Sequence, residues 1–260
     1  MLLRRRRAEA PCLSLLAVGV LVAAALCSTS ERGSVCGPAR KEGRILTVGD
    51  GNFGFSVALL ARLNRMPGTY HLTATSFDSR ETVLAKYPEA RPLLARLADS
   101  RRVTVVHGVD ACDLAGSART ARLVRETGPF DLIIFNFPHA GMEDFRRHRA
   151  LLAHFFDSAK QQLAPGGQVQ VALANEQPRD WAIVEMAGLA GLEVLEARSF
   201  NAELEFPGYT LRRHTNGKSF KTRQNHRFTF VCSQGRGERD DPEGNGQSAR
   251  QAVNHSDSHG

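Results

Sequence analysis

The sequence predicts one α/β domain built on a mostly parallel, doubly wound sheet with helices on both faces. Three observations carry this. From Arg44 onward, short apolar, β-rich runs alternate with helical patterns. The first run ends in a glycine loop that leads directly into a helix. The run Phe130-Asp131-Leu132-Ile133-Ile134-Phe135 is nearly continuously apolar, as a strand buried on both faces of a parallel sheet must be.

In chain order, Ile45–Val48 is the first strand and 53–64 the first helix. Tyr70–Phe77 is the second strand. Asp78-Ser79-Arg80-Glu81 follows as a capping-box pattern that starts a helix, which Pro88 and Pro92 bend or interrupt. Val103–Val109 is the third strand, 115–127 a helix and Phe130–Phe135 the fourth strand. A helix over 143–163 stops at Pro165-Gly166-Gly167, and Val169–Leu173 is the fifth strand. A helix around 180–190 leads to Leu192–Phe200, then a long loop, then Arg227–Cys232. No helical pattern separates these last two of seven strands, which predicts an antiparallel pair at the sheet edge.

The two ends of the 260-residue chain fall outside this pattern. Arg4–Arg7 followed by the apolar run Cys12–Cys27 reads as a signal or presequence, with a retained anchor or a non-functional extension as alternatives. The tail from Gln234, rich in Gly, Ser, Asn, Asp and Gln, reads as disordered. The expected boundaries are therefore 1–43 extension, 44–232 domain and 233–260 tail, leaving about 190 residues for one core. The five cysteines have no C-x-x-C spacing, so neither a disulfide framework nor a metal site is expected. The net charge of +7 favours an anionic partner.

Gly49-Asp50-Gly51-Asn52-Phe53-Gly54 matches G-x-G-x-x-G between a strand and a helix. Glycines there let a ligand approach the strand end and the helix N-terminus without interference from Cβ. A tight strand–helix turn would leave the same trace, and both dinucleotides and S-adenosylmethionine bind at such a point. Asp78, ending the second strand, is placed to accept from ribose hydroxyls or to cap the next helix. Asp110, with Ala111, follows the third strand where an adenine amine would be held, or where a solvated acid would sit. After the fourth strand, Asn136-Phe137-Pro138-His139 separates the two cofactor classes. An Asn with a proline turn presents an amide and a main-chain carbonyl to a target nitrogen, which a methyl-transferring site needs and a hydride-transferring site does not. His139 is the candidate base, since imidazole titrates near working pH.

The segment from Pro207 to Phe230 carries Arg212, Arg213, Lys218, Lys221, Arg223 and Arg227, with no acidic residue and with Tyr209 and Phe220 interleaved. Cations suit phosphates and flat rings suit unstacked bases, so Tyr209, Arg212, Arg213 and Lys218 are candidate RNA contacts. Arg146-Arg147-His148-Arg149 either extends that surface or forms an exposed helix face.

These residues together resemble the family of large-subunit ribosomal RNA uridine-N3 methyltransferases typified by the yeast 25S enzyme. The resemblance spans about 44–232 and rests on several motifs. They are the glycine loop, Ala74–Ser79, Gly108-Val109-Asp110-Ala111, Asn136–His139, Phe206–Tyr209, Arg212-Arg213 and Thr215-Asn216-Gly217. Asp50, Gly54 and Phe206 stand where the family usually carries Glu, Ser and Tyr. The resemblance implies a Rossmann-like class I methyltransferase fold, with S-adenosylmethionine as cofactor and ribosomal RNA as partner. It implies Gly49, Asp50, Gly51, Asn52, Phe53, Asp78, Asp110 and Ala111 at the cofactor, and Asn136, Pro138 and His139 at the reacting base. It also implies the nucleus, nucleolus or cytoplasm, whereas the N-terminal segment points to an organelle or the secretory route. Neither a metal nor a stable membrane partner is expected of the domain. A non-catalytic RNA-binding scaffold and a transfer RNA acceptor remain as alternatives.

Overall fold

The computed structural model describes residues 42–233, apart from 117, 214 and 215. The signal-like segment and the tail from Gln234 lie outside the described residues, as do His214 and Thr215 of the basic loop. Seven strands form one sheet: β1 (Glu42–Val48), β2 (Thr69–Ser76), β3 (Val103–His107), β4 (Phe130–Asn136), β5 (Leu163–Ala174), β6 (Leu192–Ser199) and β7 (Asn225–Cys232). Their order is β3-β2-β1-β4-β5-β7-β6. Strands β1 to β5 pair in parallel, and β7 is antiparallel to both β5 and β6. The antiparallel strand thus sits one place in from the edge, and β6 is the edge. This is the mostly parallel seven-stranded class I methyltransferase-type sheet that the sequence predicts.

The helices are α1 (Gly54–Leu63), α2 (Arg80–Lys86), α3 (Ala90–Ala98), α4 (Arg119–Thr127), α5 (Phe145–Lys160), α6 (Gln177–Asp180), α7 (Ile183–Leu189) and α8 (Ala202–Glu205). Both sheet faces are covered, so alternate strand residues enter two separate cores. Leu46, Val48, Ile133, Phe135, Val169 and Val171 pack with Phe155, Phe156 and Trp181 on one side. Ile45, Leu72, Leu132 and Ile134 pack with Phe53, Phe55, Leu59 and Leu97 on the other. Each fully buried Phe or Leu of this kind contributes about 1.5–3 kcal/mol.

Three local features differ from the sequence expectation. Ser79, not Asp78, caps α2, its hydroxyl accepting from the Thr82 N–H at 3.3 Å. The pairing of β5 with β4 begins at Leu163↔Phe130 and shifts register before Leu132↔Gln168. Pro165-Gly166-Gly167 is therefore an irregularity within a strand rather than a loop before one. The short helix α8 occupies part of the connection between β6 and β7.

Candidate active site

The connection from β1 runs to β2 on one side, while β4 flanks β1 on the other. The strand order therefore reverses between β1 and β4, which opens a crevice at their C-terminal ends where α/β sheets bind ligands. A cleft of about 760 Å3 occupies this point, within the range of small-molecule sites. Its floor is the glycine loop. Gly49 has φ +63°, and a Cβ there would stand 2.8 Å from the Phe135 ring. A Cβ on Gly51 would stand 2.6 Å from the Tyr87 hydroxyl. The loop thus lies flush between two rings, and its glycines are required by the protein's own packing as well as by any ligand above it.

Asp50 sits at the base of the loop. Its N–H donates to the Thr75 carbonyl at 2.8 Å, and its Oδ2 accepts from the Ser56 N–H at 2.7 Å. Burial raises its pKa from 3.8 to about 6, against the lowering effect of hydrogen bonds from Ser56, Phe55 and Phe53. A carboxylate held at this depth is an electrostatic site for a cation in the cleft. Asn52 closes an Asx turn, its Oδ1 accepting from the Gly54 N–H at 2.9 Å, and its Nδ2 donates to Glu89 Oε1 at 2.9 Å. The adjoining Tyr87 hydroxyl is pushed up to about 12 by burial and by the charges of Asp78, Asp50 and Glu89.

The opposite wall begins at Asn136, the last residue of β4. Both amide atoms of Asn136 are buried without a hydrogen-bond partner, and the residue lines the cleft. A buried, unsatisfied amide costs about 1–3 kcal/mol, and one on a residue of the cleft wall is a candidate ligand contact. Phe137 adopts φ +51° and donates its N–H to the Ala172 carbonyl at 2.8 Å. The buried Pro138 follows, and the turn swings His139 to the mouth. His139 Nδ1 accepts from the Gly141 N–H at 2.9 Å, and its Nε2 lies 3.3 Å from Glu143 Oε1. A neutral ring protonated on Nε2 satisfies both contacts, so both nitrogens are engaged in holding the loop.

His148 makes the anchor of this loop. It is fully buried, stacks on Trp181 at 4.0 Å and 8°, and faces His139 edge-on at 4.8 Å. Its Nδ1 lies 2.7 Å from the Asp144 carbonyl, and its Nε2 accepts from the Ala140 N–H at 3.3 Å. Burial lowers its pKa in spite of that carbonyl. His148 is therefore a neutral packed residue, while its neighbours Arg146, Arg147 and Arg149 are exposed.

The late loop forms the third wall and divides its cations between two tasks. Arg227 is 1% exposed, with its guanidinium 3.7 Å from the Phe200 ring centroid and 3.7 Å from Glu205. Burial lowers its pKa to about 9, partly offset by Glu205. Arg198 grips the same Glu205 in a bidentate pair at 2.8 Å on each arm. Arg212 bonds Glu89 at 2.8 Å, the same oxygen that Asn52 holds. The acids missing from 207–230 are thus supplied by other segments, and Arg212 and Arg227 are structural staples. Arg213 and Lys221 are the exposed cations that line the cleft, beside Phe220. Tyr209 also lines it, with its ring edge-on to Phe55 at 5.2 Å.

Of the residues singled out from the sequence, the cleft gathers Gly49, Asp50, Gly51, Asn52, Asp110, Ala111, Asn136, Pro138, His139, Tyr209, Arg212 and Arg213. Phe53, Asp78 and Lys218 do not line it. Phe53 is fully buried against His107, Asp78 bonds Lys86 at 2.5 Å, and Lys218 is exposed beyond the rim. One oxygen of Asp110 caps the following turn by accepting from the Cys112 N–H at 2.9 Å. Tyr87, Glu89 and His148 were not singled out as site residues. Glu89 acts through contacts with Asn52 and Arg212, far apart in sequence, and Tyr87 packs against Gly51, so neither has a local motif; His148 joins its own loop to the distant Trp181.

Residues 46–213 match the family model described as rRNA (uridine-N3-)-methyltransferase BTM5-like. An uncharacterized protein of Arabidopsis thaliana is 30% identical over 67% of this chain and 84% of its own length. The human ferredoxin-fold anticodon-binding domain-containing protein 1 is 36% identical over 72% of this chain and 31% of its own length. Several of the curated relatives are thus about three times as long as the part of them that this chain matches. The crystal structure of TrmN from Thermus thermophilus aligns with a TM-score of 0.45 and 20% identity, over 72% of this chain and 43% of that one. On the family match and the Arabidopsis relative, the chain belongs to the rRNA (uridine-N3-)-methyltransferase BTM5-like family.

Proposed function

We propose that the protein is an S-adenosylmethionine-dependent methyltransferase whose acceptor is an RNA base, N3 of a uridine in large-subunit ribosomal RNA. The observation that carries this reading is the unpartnered amide of Asn136 facing a glycine-floored cleft at the switch point. The family description supports the nucleotide.

The cofactor supplies an electrophilic methyl group on a sulfonium. Gly49 and Gly51 admit its nucleoside and amino acid portions close to the main chain, and the Asp50 carboxylate favours its positive charge. Asp110 and Ala111 border the adenine end. Asp78, at the end of β2, is assigned to the ribose and would exchange its Lys86 contact for the hydroxyls. Asn136 orients the acceptor: its amide can donate to an exocyclic oxygen of a uracil edge, leaving N3 open to the methyl group, and the N3 proton must leave to a base as the methyl arrives. Pro138 fixes the turn that aims the amide. His139 would take the N3 proton, its Nδ1 exchanging the Gly141 N–H for it, while His148 acts as a positioning residue beneath the turn.

Substituting Asn136→Ala removes the acceptor contact without removing a hydrogen bond from the fold. The expected result is methyl transfer reduced at least 100-fold, with cofactor affinity by calorimetry unchanged. Normal turnover by this variant would sink the assignment.

A further inference from the structure

The late loop supplies fewer free cations to the cleft than its composition suggests, since Arg212 and Arg227 are consumed by Glu89 and Glu205. The facing rim has the opposite character. Met142 lines the cleft yet is 46% exposed, and Phe145, three residues on, is 58% exposed. Arg146 and Arg147 follow on the exposed side of α5. The backbone N–H groups of both arginines are already capped by Asp144 Oδ1, at 2.8 and 3.3 Å. It is therefore the side chains, not the helix end, that remain available. The acids nearby are weak competitors. Glu143 faces His139, and Asp144 approaches the Arg147 Nε only at 3.8 Å with the Arg147 side chain 63% exposed. Buried His148 holds the segment rigidly from beneath, so the exposed aromatic and cations are presented from an ordered base.

We infer that this segment is a second RNA-contacting wall. Phe145, with Met142 beside it, stacks a base flanking the target nucleotide, and Arg146 and Arg147 take the adjoining phosphates. The strand then runs across the cleft between this wall and Arg213, Phe220 and Lys221 on the other. Three features favour RNA as occupant. A flat apolar ring stands exposed, two exposed guanidinium groups follow it, and the segment continues directly from Met142 and Glu143, which line a cleft that needs an unstacked base. A protein face that buries Phe145 would bring no requirement for cations beside the cleft mouth. The inference rests on the RNA reading above and extends it to residues on a different element.

The test uses the full chain with a fluorescein-labelled oligouridine, its affinity followed by anisotropy across a salt series. Calorimetric titration with S-adenosylmethionine serves as the fold control and is expected to be unchanged in every variant. R146Q/R147Q should make the slope of log K against log salt shallower by about 1.4, two phosphates at about 0.7 each. Phe145→Ala should weaken binding about 5- to 100-fold, and Phe145→Trp should restore it. If the variants bind RNA with unmodified affinity and salt slope while R213Q/K221Q loses both, the second wall is refuted and the RNA reading stands. If the unmodified chain itself fails to bind the probe, the RNA reading falls and this inference falls with it.

Discussion

Replacing Asp50 by Asn isolates the electrostatics of the glycine loop. Asn retains an acceptor for the Ser56 N–H that Asp50 Oδ2 now holds at 2.7 Å and, like the protonated acid, carries a donor on its other arm and no charge. Burial raises this carboxyl from 3.8 to about 6. A raised folded-state value means that the folded chain holds its proton more tightly than the unfolded chain. The associated stability is present below about pH 4 and is lost as pH climbs through about 6. About two pH units correspond to about 3 kcal/mol. Urea unfolding at pH 3.5 and 7.5 should therefore find Asp50→Asn close to the unmodified protein at the lower pH. At the higher pH it should be more stable by up to about 3 kcal/mol. Cofactor affinity should move the other way. In the unmodified protein, binding of the cationic cofactor tightens as Asp50 ionises through about pH 6, and in Asp50→Asn that dependence is absent. A stability difference independent of pH, or a variant that is less stable at pH 7.5, would refute the reasoning.

Other consequences follow from the buried polar groups. Glu205→Ala leaves Arg227 and Arg198 without their shared carboxylate, and the expected loss is about 3–5 kcal/mol in urea unfolding. His148 is held neutral by burial, so its contribution is present above its ordinary value and lost as pH falls below 6.5. His148→Gln should remove that segment of the pH profile and increase hydrogen exchange at Ala140 and Gly141. Glu89→Gln weakens the tie that joins Asn52 of the glycine loop to Arg212 of the late loop. It should reduce cofactor and RNA affinity together, by about 5-fold each, measured by calorimetry and anisotropy. Loss of one without the other would show that Glu89 does not couple the two loops.

The sheet was legible because its signals are local. The runs at β1 and β4 are buried on both faces and therefore apolar without alternation, and the glycine loop and proline turn fall at the strand ends where the chain must bend. Most candidate site residues are read from the same strand ends, which is why twelve of the fifteen meet in one cleft. What escaped depends on pairing at a distance. Arg212 and Arg227 read as surface cations because the carboxylates that neutralise them belong to α8 and to the turn before α3. His148 reads as part of a basic helix face, yet it falls on the buried stripe of α5 with Leu152, Phe155 and Ala159 and stacks on Trp181 from the turn after α6. The position of β7 between β5 and β6 likewise leaves no trace in either strand's own sequence.

We propose that this cleft transfers a methyl group to an RNA base oriented by Asn136. The most direct test is incubation of the full chain with isotope-labelled S-adenosylmethionine and ribosomal RNA from cells lacking the gene, followed by nucleoside mass spectrometry. Labelled 3-methyluridine is expected with the unmodified chain and none above background with Asn136→Ala. Absence of any labelled nucleoside, or equal labelling by the variant, would contradict it.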